Sequence, residues 1–155
     1  MPTISEKYAS DLRHLEEEHT GIRRRYARLE NAILYGQGLP RILEAADSLV
    51  LLLLLHLAHE KHFLAKLPVS SRLQEKNRKA YMELTAQLFG IAAELEQQKT
   101  SAVFLLLRLG RLWMNGHMNL ENEEFQCEAS IRNERTFLAS QVLGDHATAM
   151  AGLNR

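Results

Sequence analysis

The chain has little of what usually punctuates or staples a fold. One cysteine, Cys127, stands among 155 residues, which excludes an intramolecular disulfide framework and a cysteine-rich zinc site. Three prolines and eight glycines leave long stretches without a breaker. Neither sign of charge prevails, since nineteen Lys and Arg balance nineteen Asp and Glu. No global field therefore draws the chain to nucleic acid or to an anionic membrane. The longest apolar run, Leu49 to Leu55, is seven residues, against the roughly 20 needed to cross a bilayer. Residues Met1 to Ser10 lack the apolar core of a signal peptide, so a cytoplasmic domain is expected. A glycine-rich phosphate loop, a nucleophile elbow and a catalytic Cys/His spacing are all missing, and nothing here argues for an enzyme.

What is present is helical periodicity and seven histidines. Breaks at Gly36-Gln37-Gly38-Leu39-Pro40, at Leu67-Pro68-Val69-Ser70-Ser71 and around Gln97 to Ser101 leave segments of about 25–30 residues. These are too long for strands and natural for bundle helices. In the first segment, roughly Ser5 to Tyr35, Leu12, Leu15, His19, Ile22, Tyr26, Leu29 and Ile33 recur at alternating spacings of three and four. The second, roughly Ile42 to Lys66, carries Ile42, Ala46, Leu49, Leu53, His56, Glu60 and Phe63 on one face. Being apolar almost all round for two turns, it should be the most buried helix. Ser70 or Ser71 caps the third, with Gln74 completing a capping box, and its stripe is Leu73, Asn77, Ala80, Leu84, Leu88, Ile91 and Leu95. The fourth begins near Thr100 or Ser101 and runs past Phe125, with Val103, Leu106, Trp113, His117 and Glu121 on its face.

Short connections make neighbours antiparallel, which predicts an all-α, up-down-up-down four-helix bundle over residues 1–126. Residues 127–155 read as an extension with a short helix and a loose tail. His19 falls about 17 residues before the first turn and His56 about 16 after it, so the two lie at similar heights. A lone histidine in a core is usually a satisfied core residue. A carboxylate one helical turn away is costly to bury unless a cation or several donors meet it. His19, His56, Glu60 and His117 thus offer N and O donors suited to a first-row metal. The competing reading is Glu60 solvated near the bundle end, hydrogen-bonded to His19. His14 and His62 fall off the stripes and read as solvated. Arg23, Arg24, Arg25 and Arg28 read as a solvated charged face. Glu16 with His19 makes a lone Glu-x-x-His unit without a second copy.

These residues resemble the hemerythrin family, over roughly residues 10–125. Leu15-Glu16-Glu17-Glu18-His19 with the following stripe resembles its first helix and single His ligand. His56-Leu57-Ala58-His59-Glu60 resembles its His-x-x-x-Glu. Leu67-Pro68 falls where the family often has Tyr-Pro, and Leu106 to His117-Met118 resembles its fourth-helix run. The resemblance implies a non-haem iron centre that binds oxygen or nitric oxide. The third-helix His-x-x-x-His slots fall on Leu73 and Asn77, neither an iron ligand of that kind. The fourth-helix carboxylate slot falls on Asn122, and Glu121, one residue earlier, stays on the face of His117. The ligands carried over are therefore His19, His56, Glu60, His117 and Glu121, for one ion or an atypical pair, iron first and zinc possible. His117 either joins the same metal, or His59 helps rebuild a second site. The rival of another class is a metal-free bundle serving as an interaction or dimerisation module, and zero formal charge makes a homo-oligomer easy to form. A second rival is an oxidase or peroxidase using the open metal position, for which the sequence positions no acid or base.

Overall fold

A computed structural model describes residue 6 and residues 8–115 of the chain. These residues form four helices: α1 (Ala9–Leu34), α2 (Leu39–Ala65), α3 (Ser71–Glu96) and α4 (Thr100–Leu112). No strand occurs among the described residues. Consecutive helices pack on each other, and α4 also meets α1 and α2, so the four surround one core. The predicted boundaries agree within a few residues for the first three helices. Past Leu112 the chain widens into a π-helical turn over residues 113–115. The expected course past Phe125 and the extension over 127–155 lie outside the described residues.

Local chemistry sets each boundary. Helix α1 stops where Gly36 takes φ +57°, with Gln37 N–H donating to Ala32 O at 3.0 Å and Gly36 N–H to Ile33 O at 3.1 Å. That pattern satisfies carbonyls the helix end would otherwise leave open, and it favours glycine because a Cβ is strained there. The same closure ends α3, but Gln98 occupies the left-handed position at φ 57°. Pro40 sits in the first turn of α2, where its missing N–H costs no helical hydrogen bond. Ser70 caps α3, its Oγ accepting from Leu73 N–H at 3.2 Å. The predicted capping box does not close, because Gln74 Nε2 reaches instead toward Leu67 O at 3.5 Å.

The stripes face inward as their spacing requires. Ile22, Leu29, Leu49, Leu88, Leu106 and Val103 are fully buried, and each such aliphatic side chain contributes about 1.5–3 kcal/mol. Ten side chains of α2 are buried, against seven of α1 and six of α3, so α2 is the central helix. It is also the one described helix long and apolar enough, by length and composition, to cross a membrane. Its inward face carries two polar groups at 0% exposure, His56 and Glu60, inside the helical core. Helix α4 is locked to α1 by Tyr26 Oη donating to Leu107 O at 3.0 Å. Gly110 lets the helices close there, because a Cβ on it would stand 3.1 Å from the Tyr26 ring. Part of the arginine-rich face of α1 braces α2: Arg25 Nη1 donates to Ser48 O at 2.8 Å, and Arg28 pairs with Glu44 at 3.2 Å.

Candidate metal centre

Three of the five predicted ligands come together. The three-four spacing of α1 drops His19 between Leu15 and Ile22 on the buried face. On α2 the i, i+4 offset stacks Glu60 one turn beyond His56. His19 Nε2 lies 3.1 Å from His56 Nε2, and Glu60 Oε2 lies 3.1 Å from the same His56 nitrogen. All three side chains are buried, so the solvated reading of Glu60 fails. His117 and Glu121 lie outside the described residues. In α3, Leu73 and Asn77 do point inward, at 6% and 3% exposure. Asn77 Nδ2 donates to Leu73 O of its own helix at 2.9 Å.

The convergence poses a chemical problem that hydrogen bonds alone solve poorly. An imidazole nitrogen has one in-plane bonding direction, holding either a proton or a lone pair. His56 Nε2 has two polar neighbours competing for that one direction. A cation resolves the competition, since lone pairs from both rings and a carboxylate oxygen can all aim at it. The two contacts at His56 Nε2 each match the separation of neighbouring donors on one ion, since donors bonded at about 2.0–2.1 Å and disposed tetrahedrally or cis-octahedrally stand about 2.9–3.4 Å apart. For all three to share it, His19 and Glu60 have to draw together around it. The far edges of the rings fit as well. His19 Nδ1 faces the exposed Glu16 carboxylate at 3.3 Å, and His56 Nδ1 faces Glu18 Oε1 at 3.7 Å. The Glu16 carboxylate behind His19 favours the proton on Nδ1 and turns the Nε2 lone pair inward, the usual support for a metal-bound histidine, whereas Glu18 stands too far from His56 Nδ1 for a direct hydrogen bond. The Glu16–His19 unit, read from sequence as isolated, supplies this support.

Electrostatics act the same way on His19. Burial holds its pKa below the ordinary 6.5, the charge of His56 lowers it further, and Glu16 and Glu60 oppose the shift. The neutral ring, which is the form that ligates a metal, is thereby favoured. Trp113 roofs both imidazoles edge-to-face, its ring centre 5.2 Å from that of His56 and 6.3 Å from that of His19. At 3% exposure it keeps water off this side of the cluster.

A second group was not singled out from the sequence. His14 and Glu18 stand one turn apart on α1, and His59 of α2 meets them from across the interface. Their ligand atoms all lie within 4.8 Å of one another, an arrangement able to hold a metal ion. The signals in the sequence were the i, i+4 pair His14 and Glu18 and the position of His59 three residues after His56. His62 is exposed, as its place off the stripe predicts.

Comparison with protein-family models, with curated proteins and with solved structures returns no match to the chain.

Proposed function

We propose that the chain is a hemerythrin-like, up-down-up-down bundle with a C-terminal extension over 127–155. In this reading it is a cytoplasmic protein that holds one first-row metal ion, iron first and zinc second, through His19, His56 and Glu60, with His117 and Glu121 as further ligands from the fourth helix. Its role is the capture or sensing of oxygen or nitric oxide. The single observation that carries this reading is the pair of 3.1 Å contacts converging on His56 Nε2 from a second imidazole and a fully buried carboxylate.

Each residue has a distinct task. Glu60 contributes negative charge where solvent is absent, which raises the affinity for a cation. Glu16 orients the His19 ring from behind. Trp113 excludes water and limits access to small molecules. A ferrous ion in this setting supplies open coordination positions for a diatomic gas. Leu73 and Asn77, standing where the family has two third-helix histidines, argue for one ion rather than an oxygen-carrying pair.

Metal analysis of tag-free protein beside His56→Ala tests the site: the wild type holds an equivalent of metal that the variant lacks. Adding oxygen or nitric oxide to the anaerobic ferrous protein changes its visible spectrum. Metal-loaded protein with an unchanged spectrum would end the gas-binding reading. A metal-free interaction module is favoured by one feature, the exposure of Phe89, Phe104, Leu105 and Leu112 on α3 and α4. That reading requires no metal equivalent dependent on His56 and a dimer in solution.

A further inference from the structure

We propose that His14, Glu18 and His59 form a second, outer cation site, a triad of two imidazoles and one carboxylate for a divalent first-row ion. The three donor atoms make a compact triangle. His59 Nδ1 stands 2.9 Å from Glu18 Oε1, His14 Nε2 stands 3.4 Å from the same oxygen, and the two ring nitrogens are 3.3 Å apart. All three edges fall in the range of about 2.9–3.4 Å that separates donors around one ion with bonds of about 2.0–2.1 Å. The members come from two helices, so the site is built across the α1–α2 interface and not along one surface turn.

The burial of Glu18 is the independent observation. Its side chain is only 8% exposed, yet the described groups that contact its carboxylate are all imidazoles: His14, His56 and His59. No lysine or arginine, whose charge is permanent, is among them. A carboxylate buried to that degree calls for a positive partner. A divalent ion between His14 and His59 supplies it and leaves both rings neutral. The solvent side completes the case, because His14 and His59 are 58% and 40% exposed and give the ion an entry path and room for water ligands. Glu18 then has two roles, ligand to the outer ion and the carboxylate behind the inner ring of His56. The outer site does not depend on the inner one being occupied.

The test titrates tag-free, metal-free full-length protein with Co(II), followed by visible absorbance, and with Zn(II), followed by calorimetry. His14→Ala and His59→Ala each remove one equivalent or weaken it by more than about 100-fold, since even a supporting partner of a ligand is worth about 10–100-fold. His56→Ala leaves that equivalent in place. Both substituted residues are at least partly exposed, and far-UV circular dichroism verifies that the variants fold. Equal stoichiometry and affinity in wild type, His14→Ala and His59→Ala would overturn the proposal. A single wild-type equivalent lost in those two variants and kept in His56→Ala upholds the outer site and removes the inner one. The reverse pattern removes the outer site alone.

Discussion

The Glu60→Gln substitution exchanges a carboxylate for an amide of nearly the same size at a position with 0% exposure. In the metal-free protein the amide retains a polar contact to His56 Nε2, 3.1 Å from the carboxylate oxygen it replaces, while the charge and its desolvation penalty disappear. Removing buried ionic groups without changing volume is commonly neutral or stabilising by about 1–4 kcal/mol. We expect a gain of about 1–3 kcal/mol, which in a chain of this size raises Tm by roughly 2–4 °C per kcal/mol. In the metal-loaded protein the sign reverses. Loss of an anionic ligand weakens binding by about 100-fold or more, so metal stabilisation falls from about 4.1 to about 1.4 kcal/mol at a concentration about 1,000-fold above the wild-type Kd. The assay is thermal unfolding with chelator and with Zn(II), in a His59→Ala background so that the outer site adds nothing. A chelated Glu60→Gln protein that melts below its parent would refute the reasoning, because Glu60 would then be a structural partner and not a ligand awaiting a cation.

Trp113 is the one tryptophan of the chain and its ring lies 5.2 Å from His56, so Co(II) entering the inner site quenches its fluorescence. His56→Ala abolishes the quench and His59→Ala leaves it; quenching that survives in His56→Ala would break the link. The metal-free protein loses stability on mild acidification, because the His19 pKa in the fold lies below the ordinary 6.5 and the unfolded chain takes up the proton first. The contribution is complete above about pH 6.5 and is lost as pH falls through the lower folded value. Urea midpoints measured with chelator across that range should be flatter in His19→Gln. Gln98→Gly relieves the φ of 57° at the end of α3 and should add about 1 kcal/mol in urea unfolding, with no change in metal content.

The fold was legible because each helix repeats one physical instruction many times. Seven α1 positions at three-four spacing cannot all be inward on any other backbone, and the breakers at Gly36 and Pro68 stand between consecutive helices. The run from Leu49 to Leu55 marked α2 as central for the same reason. What failed was local and singular. The capping box asked Gln74 to turn back on Ser71, but Ser70 takes the cap and Gln74 reaches Leu67. One hydrogen bond against another decides that, and periodicity carries no information about it. The left-handed Gln98 is of the same kind, since glycine or asparagine would have announced the turn and glutamine does not.

The inner cluster was readable because its members lie on the stripes themselves. His19 replaces an apolar residue in a slot that must face inward, and so do His56 and Glu60. The outer triad breaks that logic. Glu18 precedes His19 by one residue, about 100° around the helix, and a stripe one residue wide places it outside the core. It is buried only because α2 brings His59 against it, with Nδ1 at 2.9 and 3.1 Å from its two oxygens. His14 is exposed, as its place off the stripe predicts, while its Nε2 meets both Glu18 and His59. A site shared by the flanks of two helices has no signature on either helix alone. It becomes visible when an i, i+4 pair of ligand types on one helix falls at the height of a third on its neighbour, and His14, Glu18 and His59 meet that condition one turn from the inner cluster. The two groups therefore share Glu18 by geometry, since the carboxylate that meets His14 and His59 also faces His56 Nδ1 at 3.7 Å.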